Sequence, residues 1–219
     1  MALKPENVRV HTFIDAQNLY VAVKESFKYQ LPNFDPIKLS RALSDLIPNR
    51  ELVKVHLYTG MHSREENPFW HDYWRNKLRA LEDNPLVSVF TKPLLYHDIK
   101  VRDESAREFS VRRAAEKGID LRIGLDLVRL AVNSAYDVAI IFSQDSDLEE
   151  AVNEVHAIRQ YFDRWIYLES AFPENSTRGP RGIRNTQWRT ITQEMYDACI
   201  DPRDYRPFPT SRPADFQEE

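Results

Sequence analysis

Residues 136–148 read YDVAIIFSQDSDL, a short apolar segment followed at once by polar and acidic residues. The segment 138–142 (VAIIF) is apolar on both faces, which is typical of a strand covered by helices on two sides. Further apolar runs that predict strands occupy residues 8–14, 52–58, 86–90 and 165–168. Strands that alternate with helices predict an α/β fold with a central, mainly parallel sheet covered by helices on both faces.

The stretches between these strands carry the signals of helices. The clearest helix has Asp35 as its N-cap and Pro36 at its first position, since both residue types favour a helix start. Further helices are predicted at residues 18–27, 68–81, 120–132 and 147–160. Residues 91–113 are highly charged and weakly periodic, and we interpret them as a loop or irregular arm that grades into a helix.

Length and composition indicate one domain followed by a tail. The chain has 219 residues, of which 42% are hydrophobic, and a chain of this size buries roughly 70% of its unfolded surface. Glycines and prolines predict a loop at residues 172–182, and the stretch from residue 202 is rich in proline. We therefore predict a domain at residues 1–200 and a loosely packed tail at residues 201–219.

Several classes of protein are excluded by the composition. The single cysteine, Cys199, excludes a disulfide scaffold and favours a reducing compartment. The N-terminus has no apolar leader and no stretch is long enough to span a bilayer, which predicts a cytoplasmic protein without a membrane partner. Neither a glycine-rich phosphate loop nor a GxSxG motif is present, and the six histidines have no zinc-ligand spacing.

The charges are distributed unevenly along the chain. The net charge of −4 argues against a strongly basic nucleic-acid binder on composition alone. Residues 143–158 contain five acids and no Lys or Arg, whereas residues 178–189 contain four arginines and no acid. An acidic segment beside a basic one is typical of a binding site, although surface solubility explains the arginines equally well.

Acidic and polar residues follow two of the predicted strands. In parallel sheets, sites form beyond the carboxyl ends of the strands, and the residues found there are Asp15, Asn18, Ser143, Asp145 and Asp147. Asp120 begins the helix that leads into the second of these strands. Clustered carboxylates repel one another unless a cation neutralises them, and Mg²⁺ or Mn²⁺ suits such oxygen ligands. Taken alone, Asp15 is typical of a turn, and Asp120, Asp145 and Asp147 are typical of helix caps.

Helical periodicity separates two acids of the helix predicted at residues 120–132. Asp120 projects from the middle of a broad apolar face. Asp126 instead lies beside Arg122 and Arg129, at the i−4 and i+3 spacings of surface ion pairs. We therefore interpret Asp126 as a solvated salt-bridge residue and Asp120 as a site residue.

Three blocks of the sequence carry a resemblance to a known family. FIDAQNLY (13–20), EKGIDLRIGLDLVRLA (116–131) and YDVAIIFSQDSDL (136–148) resemble the NYN domain, in the LabA-like branch of the PIN-like nuclease superfamily. The resemblance extends over residues 8–168. It implies a PIN-like, Rossmannoid three-layer sandwich and a metal-dependent ribonuclease.

The same resemblance implies a role for individual residues. Asp15, Asp120, Asp145 and Asp147 match the acidic positions, which would hold one or two Mg²⁺ or Mn²⁺ ions. Asn18 and Ser143 match the supporting polar positions, and Lys117 matches the basic one. Gln144 stands where we expect a glycine, so its side chain is expected to crowd the turn or to alter access of the substrate.

The predicted reaction is hydrolysis of RNA phosphodiester bonds by a water that the metal activates. Single-stranded RNA is the expected substrate, because a narrow acidic site needs a splayed backbone. The basic residues expected to hold its phosphates are Lys117, Arg112, Arg113, Arg181 and Arg184. Two alternatives stay open: a non-catalytic regulatory module that binds RNA or protein, and a phosphohydrolase acting on small esters. The sequence also leaves open a homo-oligomer or a regulatory protein partner.

Overall fold

The computed structural model describes residues 2–102, 108–175 and 179–207. Its strands are β1 (Val8–Asp15), β2 (Arg50–Met61), β3 (Val87–Pro93), β4 (Leu95–Arg102), β5 (Glu108–Ala115), β6 (Val138–Phe142), β7 (Tyr167–Pro173) and β8 (Gln187–Ile191). Its helices are α1 (Ala16–Phe27), α2 (Pro36–Ser44), α3 (Pro68–Glu82), α4 (Ile119–Val132), α5 (Glu149–Tyr161) and α6 (Gln193–Ala198), with a 3₁₀ turn at Ser146–Leu148.

Six strands form one sheet in the order β3-β2-β1-β6-β7-β8. Every neighbouring pair in this sheet is parallel. Helices α1, α2, α3 and α6 pack on one face, and α4 and α5 pack on the other. The predicted three-layer α/β fold with a parallel sheet between helices is therefore confirmed.

The central strands are buried because their side chains alternate between two apolar layers. Ile140 of β6 faces the layer under α1 and α2, whereas Ile141 faces the layer under α4 and α5. All five residues of β6 are buried. Helix starts follow their local signals as well: the Asp35 carboxylate accepts hydrogen bonds from the backbone N–H groups of Ile37 and Lys38.

Residues 91–113 differ from the prediction. Strand β3 continues to Pro93, and strands β4 and β5 pair antiparallel as a separate two-stranded ribbon. Most side chains of this ribbon are exposed, so its strands lack the apolar alternation that marks a strand in a sequence. The interpretation as an irregular arm is therefore wrong, apart from residues 103–107, which lie outside the described residues.

The C-terminal region also contains more structure than predicted. Strand β8 and helix α6 lie inside the domain predicted at residues 1–200, and neither element is predicted from the sequence. Tyr205 is 6% exposed and belongs to the core beneath α2 and α3, so the packed unit continues past the predicted boundary at residue 200. The buried Lys77 ammonium donates to the carbonyls of Pro32 and Phe34 and lies over the Tyr205 ring. Residues 208–219 of the predicted tail lie outside the described residues.

Candidate active site

The carboxyl ends of β1 and β6 lie side by side in the sheet. Asp15 ends β1 and caps α1, because its Oδ1 accepts a hydrogen bond from the backbone N–H of Asn18 at 2.9 Å. The Asn18 side chain reaches the neighbouring strand end, where its Oδ1 accepts from the backbone N–H of Gln144 at 3.4 Å. Two predicted site residues thus connect the two strand ends.

The loop after β6 is shaped by its own polar side chains. The buried Ser143 hydroxyl accepts a hydrogen bond from the backbone N–H of Asp145 at 3.1 Å. Asp145 in turn caps the 3₁₀ turn, since its Oδ1 accepts from the backbone N–H of Asp147 at 2.9 Å. Asp145 therefore has a capping role, as its sequence position suggested, and Asp15, whose position suggested a turn residue, caps α1.

Asp15 is the most perturbed acid of this group. Its side chain is 3% exposed, and burial raises the pKa of Asp15 to about 8. The negative charges of Glu116, Asp120 and Asp145 raise it further, while the hydrogen bond from Asn18 lowers it. The fold therefore holds Asp15 within electrostatic range of three other carboxylates.

Asp120 lies in the first turn of α4, opposite Asp15. The N-cap of this helix is Gly118, which has a φ of +83° and makes no side-chain cap, so Asp120 does not serve as the N-cap residue. Burial raises the pKa of Asp120, as do the charges of Asp145 and Asp147. Asp147 itself is exposed on the 3₁₀ turn. Lys117, beside Gly118, is also exposed.

Glu116 is a member of this group that the sequence analysis missed. It follows β5, and its Oε1 accepts a hydrogen bond from the backbone N–H of Gly60 at 2.6 Å. Burial raises the pKa of Glu116, and the charge of Asp120 adds to the effect. A Cβ at residue 60 would lie only 2.6 Å from this oxygen, so the contact requires glycine there. The block EKGID contains Glu116, but only the ribbon brings it back to the sheet.

The donors at this edge suit a hard divalent cation. They are carboxylate, amide and hydroxyl oxygens, and no thiolate or imidazole is among them. Across the described residues, no group of three or more His, Cys, Asp or Glu side chains is already positioned to hold a metal ion. The chemistry of the donors fits Mg²⁺ or Mn²⁺, and the side chains that cap helices would have to turn toward the ion.

Comparison with known proteins identifies the family. A family model of the NYN domain matches residues 9–168. The chain belongs to the NYN domain family. Members of this family are nuclease-like domains. No curated protein matches the sequence significantly.

The NYN domain was also compared with solved structures. A Vibrio parahaemolyticus protein of unknown function is 18% identical, with a TM-score of 0.47, and the match covers 93% of this chain and 98% of that one.

The predicted phosphate-binding residues of the NYN domain differ in their availability. The Arg112 guanidinium lies 2.6 Å from Glu66 and 3.4 Å from Asp98, so two carboxylates already neutralise it. Its neighbour Arg113 is exposed. Arg181 and Arg184 lie at a cleft beside the loop after β6.

Arg189, one of the four arginines of residues 178–189, is paired within the domain. Its guanidinium forms an ion pair of 2.8 Å with Glu169, which is 0% exposed. Glu169 also forms an ion pair of 2.6 Å with the buried Arg50. Arg189 therefore belongs to a buried charge network of the NYN domain, while Arg178 lies outside the described residues.

Asp126 has the predicted partners in a different environment. Its carboxylate pairs with Arg122 and Arg129, both at 2.8 Å. It is nevertheless buried, and it accepts a third hydrogen bond from the Tyr58 hydroxyl at 3.1 Å. The interpretation as a solvated residue is wrong, because Tyr58 and the ion pairs enclose the carboxylate against the sheet. Leu121 and Leu125 of the predicted apolar face are instead exposed.

Length and apolar content decide whether a helix of the NYN domain could cross a bilayer. In the part of the chain that the structure describes, no helix is both long and apolar enough to cross a membrane.

Proposed function

We propose that this NYN domain, as a member of the LabA-like branch, is a metal-dependent endoribonuclease. The observation that carries the proposal is the buried Asp15, whose pKa of about 8 results from burial and from the neighbouring carboxylates of Glu116, Asp120 and Asp145. Burying carboxylates that repel one another at a strand end lowers the stability of the fold. Such perturbed groups are typical of functional sites.

Asp15, Asp120, Asp145 and Asp147 would hold one or two Mg²⁺ or Mn²⁺ ions. When bound, such an ion supplies Lewis-acid stabilisation and makes water a stronger nucleophile at neutral pH. The Asn18 side chain accepts a hydrogen bond from the backbone N–H of Gln144. This contact fixes the position of the loop after β6, and of its acids, relative to Asp15 of β1. Lys117 is exposed next to Gly118, the N-cap of the helix that bears Asp120, and would bind the phosphate that approaches the acids.

The substrate in this proposal is single-stranded RNA. The acids lie where two strand ends meet, and a duplex presents its phosphates too rigidly for such a narrow edge. Arg113, Arg181 and Arg184 would hold flanking phosphates. Arg112, which is paired with Glu66 and Asp98, would hold none. A cytoplasmic location and a homo-oligomer or a regulatory protein partner stay predictions from the sequence.

Cleavage of labelled RNA in the presence and absence of Mn²⁺ tests the proposal. We expect metal-dependent cleavage by the wild type, strongly reduced by Asp145→Asn. Asp83→Asn is the matched control, because Asp83 is an exposed residue at the C-terminal end of α3. A generic phosphate ester in the same assay detects a small-molecule phosphohydrolase instead.

One observation favours the second candidate function, a non-catalytic module that binds RNA or protein. The Asp15 and Asp145 carboxylates already accept backbone hydrogen bonds as helix caps, which is a sufficient structural role for each. RNA binding without cleavage at any Mn²⁺ concentration would select this candidate.

Metal binding gives a separate prediction. Calorimetric titration with Mn²⁺ should detect a site in the wild type that Asp120→Asn weakens severely, because this acid has no capping role to fulfil. Since outer partners of metal ligands typically contribute 10–100-fold in affinity, we expect a loss of at least about 100-fold for a direct ligand. Equal binding by the variant and the wild type would show that Asp120 is no ligand.

A further inference from the structure

A cleft of about 620 Å³ lies beside the acidic edge. One wall is the loop after β6 and the start of α5, and the other is the segment 179–184. Residues that line it include Gln144, Ser146, Glu149, Arg181, Ile183 and Arg184. Its volume is within the range of sites for small ligands. Because Gln144 stands between Ser143 and Asp145 in the chain, the cleft begins at the acidic group.

The Gln144 side chain joins the two walls of this cleft. Its Nε2 donates hydrogen bonds to the backbone carbonyl of Gly179 at 3.1 Å and to that of Arg181 at 2.8 Å. Its own backbone N–H is held by Asn18. The amide therefore spans from the acidic edge to the arginine-bearing segment, and the glycine expected at this position could not make that connection.

The rest of the segment is fixed by further hydrogen bonds. The Ser170 hydroxyl accepts from the backbone N–H of Ile183 at 3.1 Å, and the Trp188 indole donates to the Ile183 carbonyl at 3.0 Å. Asn185 donates from its side chain to Asn153 of α5 at 2.8 Å. The backbone is thus held on both sides of Arg184 and at Arg181.

The side chains of Arg181 and Arg184, in contrast, are exposed and accessible to a ligand. The Arg184 side chain is 79% exposed and lies 3.9 Å from Glu149, a loose ion pair. Arg181 is exposed and makes no ion pair with any residue that the structure describes. Because the backbone of the segment is already fixed, only the two guanidinium side chains would have to be ordered when an anion binds.

We propose that this cleft binds a phosphate of single-stranded RNA next to the phosphodiester at the acidic edge, and that Gln144 is the positioning residue of this subsite. The proposal rests on the ribonuclease function for the identity of its ligand. Arg181 and Arg184 contact the phosphate, while Gln144 acts through the backbone of Arg181. Gln144 joins the two walls at the end nearest the acidic edge, and this contact defines where the strand enters that edge.

Binding of a fluorescently labelled single-stranded RNA, measured by anisotropy in EDTA across a salt series, tests the subsite without cleavage. The double variant Arg181→Ala/Arg184→Ala should bind about tenfold more weakly at low salt, and the slope of log K against log salt should fall by about 1.4, or about 0.7 for each lost contact. The double variant Lys38→Ala/Arg41→Ala, at two exposed positions of α2 on the other face of the sheet, serves as the control for loss of two charges.

Gln144→Met tests the positioning role, because it removes both N–H donors without changing charge and nearly keeps the length of the side chain. We expect at least threefold weaker binding in the wild-type background and no further loss in the Arg181→Ala/Arg184→Ala background. Gln160→Met, at an exposed position of α5, is the matched control.

Two results would overturn the proposal. An unchanged salt slope in the double arginine variant places the phosphates elsewhere. An equal loss from Gln144→Met in both backgrounds shows that Gln144 acts on another part of the site. The arginines are exposed, so their variants stay informative even if Gln144→Met unfolds. Absence of cleavage with Mn²⁺ alongside intact binding would contradict the ribonuclease function and leave the subsite standing.

Discussion

Asp15→Asn should abolish RNA cleavage and at the same time stabilise the metal-free protein at alkaline pH. Cleavage is lost because the variant lacks the carboxylate at the centre of the acidic group, and we expect a fall of at least about 100-fold. Stability rises because the variant removes a buried carboxylate that three others repel. The introduced amide side chain keeps the oxygen that accepts from the backbone of Asn18, so the cap of α1 is retained.

The pH dependence follows from the direction of the pKa shift. The pKa of Asp15 is raised by burial from 3.8 to about 8 in the folded protein. Between these values the folded state holds a proton that the unfolded state has released, so the free energy of unfolding falls as pH rises through this window. One pKa unit corresponds to about 1.4 kcal/mol, so the loss completed at about pH 8 reaches about 6 kcal/mol at most. The amide of the Asp15→Asn variant has no such proton to lose.

Urea unfolding in EDTA at about pH 5 and about pH 8.5 measures this difference. The stability of Asp15→Asn relative to the wild type should increase between the two pH values, and added Mn²⁺ should stabilise the wild type alone. Glu116 and Asp120 also have raised pKa values, owing first to burial. The pKa of Asp120 is in addition lowered by a hydrogen bond with Asp15, so Asp120→Asn measured in the same way shows how much of the pH dependence comes from Asp120. A difference that is independent of pH would show that Asp15 does not titrate in this range.

Glu169→Gln should produce the largest loss of stability. Burial acts to raise the pKa of Glu169, but the hydrogen bonds from Arg189 and Arg50 hold it below its ordinary value. The Arg50 side chain is 4% exposed, so neutralising Glu169 leaves a buried guanidinium without its counter-charge. Breaking such a buried pair typically destabilises a protein by about 3–5 kcal/mol.

Denaturant unfolding of Glu169→Gln, compared with Asp204→Asn, checks this expectation. Asp204 pairs with Arg206 at 2.6 Å, but both side chains are more than half exposed. Removal of this surface pair should change the free energy of unfolding by less than about 1 kcal/mol. Similar effects for the two variants would mean that the Glu169 network contributes no more than a surface ion pair.

The parts of the fold predicted from the sequence are those with local signals. Strand β6 is apolar at every position, and α2 begins with an Asp–Pro pair, so both are visible within a few residues of sequence. The ribbon of β4 and β5 is stabilised by pairing between its strands while most of its side chains meet solvent. Such strands leave little hydrophobic pattern in a sequence.

The same distinction applies to the site. The partners of Asp126 are one helical turn away and were predicted, whereas its burial depends on Tyr58, which is 68 residues distant. Glu116 was missed because its position depends on the return of the ribbon and on Gly60 in β2. Arg189 was misinterpreted because Glu169, its counter-charge, lies on the neighbouring strand. In each of these cases the sequence does not show a contact between residues that lie far apart in the chain.

The order of strands in the sheet also has a consequence during synthesis on the ribosome. Strand β1 is made early, yet one of its two edges pairs with β6, and Arg9 finds its partner in Asp137, 128 residues later. At a synthesis rate of about 5–20 residues per second, that edge of β1 stays unpaired for roughly 6–25 s. An unpaired edge of a central strand is a template for wrong pairing, so the nascent chain is most prone to aggregation before β6 emerges.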